Sequence, residues 1–145
     1  MIVVRWIIVL LYAFFIFVFA QNSLSGANAM MDWLRAWFPM LSHDQAAAAV
    51  VYLRKLIHMG GYFLAFVLTY AAVRVTPRLN RFSYAVAAIL ALTLAAGDEW
   101  YQTTLPHRSG SFRDILLDLA GIGLAAAAVR VFHGMRARSE KASSN

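Results

Sequence analysis

The sequence predicts an all-α integral membrane protein, a four-helix bundle with both termini on the cytoplasmic side (N-in/C-in) and an interfacial helix in the first outer loop. Three observations lead there. Mean hydropathy is +0.62 while charged residues make up only 14% of the chain, a composition outside the usual range of soluble globular domains. Four apolar runs, at 2–20, 46–73, 82–96 and 115–132, reach or approach the roughly 20 residues a helix needs to cross a hydrocarbon core of about 30 Å. The basic residues, finally, follow the connecting segments rather than a nucleic-acid-binding pattern. With the N-terminus inside, Arg5, Arg74, Arg78, Arg81, Arg130, Arg136, Arg138 and Lys141 share the inner side with one acid, Glu140. The outer side carries Arg35, Arg54, Lys55, Arg108 and Arg113 against six acids, and such an excess of inner cations sets orientation. The net charge of +6 is therefore read as a membrane signature, with no nucleic-acid partner.

The first run follows Arg5 and ends in bulky aromatics, Phe14 to Phe19. A signal peptide begins in a similar way, but this apolar stretch is long for a signal core and its aromatics suit a retained membrane anchor. Residues 21–45 are too apolar for a free linker. Met30, Trp33, Leu34, Trp37 and Leu41 recur at helical spacing, and Trp favours the headgroup level, so an interfacial helix ending at Pro39 is expected.

The second run carries Gly61, Ala65 and Thr69 at every fourth position, the third Ser83, Ala87, Ala91 and Ala95, and the fourth Gly121 and Ala125. Small residues at this spacing let membrane helices approach closely. The third run, at 82–96, is short and spans only if residues 97–101 continue its helix. After the fourth, residues 134–145 are basic, then Ser-rich, with no apolar face. The expected division is a transmembrane domain at 1–133 and a disordered basic cytoplasmic tail at 134–145. Without cysteine the chain has neither disulfides nor thiolate metal sites.

Ionisable groups inside or beside membrane-length segments are expensive and mark sites or ion-pair networks. Segment 97–118 concentrates them: Asp98, Glu99, Arg108, Arg113, Asp114 and Asp118. On the second run Lys55, His58 and Tyr62 fall at i, i+3 and i+7, one helical face, and the predicted topology brings them to the depth of the acids. Ser111 with Asp114 reads as a capping-box-like start of the last helix. Three chemistries fit: Lys55 and Arg108 holding an anion, His58, Glu99 and Asp98 as acid-base catalytic candidates, or a lock of ion pairs such as Asp98 with Lys55 and Asp118 with Lys55 or Arg113. Tyr62, Gln102, Ser109, Asp114 and Asp118 complete the binding candidates. A metal centre from His58, Asp98 and Glu99 has suitable ligand types but no recognised ligand spacing, so neither metal nor cofactor is expected.

The stretches RKLIHMGGY (54–62) and DEWYQTTLPHRSGSFRDILLD (98–118), followed by Gly121, resemble the VanZ-like membrane protein family, named after a teicoplanin-resistance protein. The matching positions are Lys55, His58 and Tyr62, then Asp98, Glu99, Gln102, Arg108, Ser109 and Asp114. Two positions depart from the family pattern: His107 stands where Gly is common, and Asp118 where Asn is common. The resemblance implies a four-helix envelope protein of the cytoplasmic membrane linked to glycopeptide resistance or tolerance, with no implied reaction. The function expected is an outer-leaflet polar pocket for an anionic lipid, a lipid-linked cell-wall precursor or an antibiotic. The alternatives are a membrane-embedded hydrolase or transferase acting on a lipid-linked substrate, and a structural scaffold.

Overall fold

A computed structural model describes residues 2–22, 26–105 and 112–143. Five α-helices lie within them: α1 Ile2–Gln21, α2 Ala27–Trp37, α3 His43–Val73, α4 Ser83–Gln102 and α5 Phe112–Ser143. All but α2 are long and apolar enough to cross a membrane, and the chain is a multi-pass membrane protein.

Each boundary has a local cause. The Ser42 hydroxyl accepts from the Gln45 backbone N–H while the Gln45 side chain accepts from the Ser42 N–H. This reciprocal capping box starts α3 three residues before the apolar run predicts. Helix α2 stops just ahead of Pro39, as expected. Helix α4 continues through Gly97 to Gln102, which gives the short third run its spanning length of about 30 Å at 1.5 Å per residue. Helix α5 runs on to Ser143. Residues 134–143 are exposed and helical. The preceding membrane helix supplies the nucleus that an isolated polar segment lacks, and Arg136 adds an i,i+4 pair with Glu140 at 3.1 Å.

Contacts along the helices fix their directions. The Arg5 guanidinium donates to the Ala71 carbonyl at 2.7 Å, the Trp6 indole to Thr76 Oγ1 at 3.0 Å, and the Tyr12 hydroxyl to the Gly61 carbonyl at 2.9 Å, so α1 runs antiparallel to α3. Tyr62 meets Asp98 while Tyr70 packs on Tyr84, which makes α4 antiparallel to α3 as well. Met59 opposes Gly121 and Arg74 opposes His133, so α5 lies parallel to α3. The spans therefore alternate in direction, with α3 packed against every other helix.

The small-residue stripes form the contact surfaces. Ala65, Thr69, Ser83, Ala87, Ala91, Ala95, Gly121 and Ala125 are all buried, with Phe66 and Ile122 filling the space between them. Outward positions of α1, among them Leu10, Leu11 and Phe14, remain exposed, as suits a helix whose outer face meets lipid.

Candidate functional site

Three helices carry polar groups to one depth. His58 stands fifteen residues before Val73 on α3, Asp98 fifteen after Ser83 on α4, and Asp118 fifteen before His133 on α5. Those reference residues lie at the same end of the bundle, where Arg74 Nη1 donates to His133 Nε2 at 2.7 Å. At 1.5 Å per residue each polar group is therefore roughly 22 Å from that end, inside a 30 Å core but close to its far boundary.

Within this layer two clusters share α3. The Tyr62 hydroxyl donates to Asp98 Oδ2 at 3.0 Å, and the Gln102 amide donates to the same oxygen at 2.9 Å from one helical turn away. Beside them His58 Nδ1 lies 3.3 Å from Asp118 Oδ1 and 3.8 Å from Glu99 Oε1. Asp114 stands one turn before Asp118 on the same face of α5, half-buried. Burial is near complete: Asp98 and Glu99 are each 3% exposed and Asp118 is 0% exposed. Asp118 Oδ2 has no hydrogen-bond partner among the described residues.

Of these groups His58, Tyr62, Asp98 and Gln102 line a cavity of about 270 Å³ between α1, α3 and α4. One wall is apolar, formed by Tyr12, Phe15, Ile16, Phe19 and Ala20 of α1 with Met30 of α2. The other carries Arg54, His58, Tyr62, Asp98 and Gln102, with Ile57 and Gly61 among them. The Gln21 amide donates to the Tyr101 hydroxyl, and Tyr101 packs edge-on against Phe17 at 5.7 Å.

The structure brings together His58, Tyr62, Asp98, Glu99, Gln102, Asp114 and Asp118. It separates Lys55 from them: Lys55 is exposed, and its neighbour Arg54 is the cation that lines the cavity. Successive helical residues are about 100° apart, so a small rotation of α3 decides which of the two faces inward. The pairings expected for the acids are corrected accordingly. Asp98 accepts from Tyr62 and Gln102 rather than pairing with Lys55, and Asp118 meets His58 rather than Lys55 or Arg113. Arg108 and Ser109, with His107 and Ser111, lie outside the described residues. Missed from sequence were Arg54 and the α1 wall. Arg54 with His58 at i+4 was an equally good helical pair, whereas nothing in the apolar α1 run distinguishes lining residues from lipid-facing ones.

Chemically, an imidazole set between two carboxylates can hold a proton, orient toward a bound group, or share a cation. The amphipathic cavity beside it accepts a ligand with an apolar body and a polar end.

The sequence matches a family model described as VanZ/LLP1 across residues 2–133. No curated protein and no solved structure matches the chain.

Proposed function

This chain belongs to the VanZ/LLP1 family, and from that premise we propose that it binds an anionic amphiphile of the cell envelope in the cavity between α1, α3 and α4. The observation that carries this reading is the two-sided lining, α1 aromatics on one wall and Arg54, His58 and Gln102 on the other. An acyl or prenyl chain fits the first wall. A phosphate or carboxylate fits Arg54, whose planar fork suits such anions. Arg54 lies nineteen residues before Val73, about 28 Å along α3, which is headgroup depth in a 30 Å core.

The inner excess of basic residues supports an N-in/C-in orientation in the cytoplasmic membrane and puts this layer in the outer leaflet. In that setting Trp33 and Trp37, both exposed on α2, anchor the short helix at the membrane surface. Candidate ligands are an anionic phospholipid, a lipid-linked cell-wall precursor, or a glycopeptide antibiotic with an acyl chain. The last two would give the family's association with teicoplanin resistance a physical basis.

Mass spectrometry of protein extracted from native membranes tests the reading. Wild type and Lys55→Ala should retain a bound anionic amphiphile, and Arg54→Ala should lose most of it while keeping its thermal stability. Equal amphiphile content in all three would overturn the proposal.

A second reading has its own support, the His58 ring held between Asp118 and Glu99. Here the cavity binds a lipid-linked ester or phosphoester, and His58 takes the proton of an attacking water or hydroxyl before returning it to the departing oxygen. Turnover by wild-type protein that disappears in Glu99→Gln with amphiphile still bound would favour this chemistry. Absence of turnover across phospholipid and polyprenyl phosphate substrates would rule against it.

A further inference from the structure

His58, Glu99 and Asp114 each bring one donor atom to within 4.8 Å of the others. They come from α3, α4 and α5, so the bundle itself assembles them, and no sequence spacing announces them. We propose that they form a binding site for a single divalent ion of the Zn²⁺ or Mn²⁺ class, with Asp118 as a further carboxylate beside it.

The donor set fits such an ion. One imidazole and two carboxylates suit Zn²⁺ and Mn²⁺, whereas an oxygen-only site would favour Mg²⁺ or Ca²⁺. Ligands about 2.0–2.2 Å from a shared centre lie roughly 3–3.6 Å apart. His58 Nδ1 and Glu99 Oε1 are 3.8 Å apart, and no donor pair is wider than 4.8 Å, so binding an ion draws the side chains together by about 1 Å.

Asp118 provides an independent observation. It is 0% exposed, its Oδ1 touches the His58 ring at 3.3 Å, and its Oδ2 has no hydrogen-bond partner among the described residues. A buried carboxylate oxygen left without a partner is costly, and a cation beside the imidazole offsets that cost. Asp118 Oδ1 and Glu99 Oε1 face the same ring nitrogen, Nδ1, so an ion bound there lies between two carboxylates. This also accounts for an acid at position 118, where an amide would contribute no charge.

His58 also lines the cavity, so an ion held there faces the polar end of any bound amphiphile and can take an anionic oxygen as a further ligand. That last step rests on the amphiphile reading, whereas the metal site does not.

The test uses full-length protein in detergent, stripped with chelator and titrated separately with ZnCl₂ and MnCl₂, with bound metal measured by mass spectrometry. The expected result is one saturable equivalent per chain for at least one of the two ions. Glu99→Gln and Asp114→Asn should each weaken it about tenfold or more, and Asp118→Asn by about tenfold. Co²⁺ loaded into wild type should give visible bands of nitrogen and oxygen ligation, a readout that requires no variant. Binding of equal affinity in wild type, Glu99→Gln and Asp114→Asn, or no saturable binding of either ion, overturns the site. Lipid content of the same samples separates the two readings. Lipid retained on a protein that binds no metal overturns the metal site alone, and a metal-binding protein without lipid overturns the amphiphile reading alone.

Discussion

Gly121 of α5 packs directly on the backbone of Met59 in α3, so closely that a β-carbon at position 121 would collide with the Met59 carbonyl group. Neither side of this contact can rotate away, because both are main chain. The approach fixes how α3 and α5 are turned toward each other, and one helical turn away it brings His58 onto Asp118.

Gly121→Ala should therefore push the two helices apart. Overpacking of this kind costs about 1–3 kcal/mol, read as a lower thermal unfolding midpoint in detergent. Gly123→Ala is the control, since a β-carbon there meets nothing within 4 Å. It should be neutral or mildly stabilising through better helix propensity. Equal effects at the two positions would remove the close contact as the reason for Gly121.

Asp118→Asn keeps an oxygen that can accept from His58 but discards the charge. Its stability should stay within about 1 kcal/mol of wild type, whereas Asp118→Ala, which leaves the half-buried imidazole without this partner, should lose about 1–3 kcal/mol. Thermal unfolding of the metal-free proteins measures both. If Asn is as damaging as Ala, the carboxylate charge itself holds the helices together and the locking role dominates.

Tyr62→Phe removes the hydroxyl that donates to Asp98 at 3.0 Å while keeping the ring. A buried hydrogen bond to a charged group is worth about 1.5–3 kcal/mol, so this variant should unfold at lower temperature. The Tyr12→Phe change breaks a bond to a neutral carbonyl and should lose less, about 0.5–1.5 kcal/mol. Reversal of that order in the measured midpoints would contradict a charged Asp98.

The native chain contains no cysteine, so single cysteines report orientation without background. Cysteine in place of Asn28 or Thr104, both exposed, should react with a membrane-impermeant maleimide added to intact cells. Cysteine at Arg78 or Arg138 should react only after permeabilisation. The opposite pattern would invert the topology and move the cavity to the inner leaflet.

Much of the architecture is legible in the chain because it depends on quantities that add along it. Four spans follow from the length of apolar runs, and the packing surfaces from small residues at every fourth position, since in lipid helices associate through close backbone approach. The continuation of α4 to Gln102 was readable for the same reason: a span of about 30 Å leaves few alternatives. The candidate site was legible as a depth. Topology alone placed Lys55, His58, Asp98, Glu99, Arg108 and Asp114 at one depth, and of these the structure gathers His58, Asp98, Glu99 and Asp114, with Lys55 exposed and Arg108 outside the described residues.

What the sequence could not decide is rotation. Lys55 and Arg54 occupy adjacent positions on one helix, and both are cations that could face inward or outward. Asp118 likewise had several oppositely charged candidates within reach of its depth. Helix periodicity determines which residues share a face; it does not determine where that face points. That choice is made where α3 meets α5, at Gly121 and Met59, and it turns Arg54 and His58 toward α1 and the cavity while leaving Lys55 exposed. By itself the sequence determined the family, the number of spans and the depth of the polar layer. Only the packing of helices against one another decided which atoms of that layer touch, because contact depends on helix rotation and separation, and neither is encoded in the order of residues along one helix.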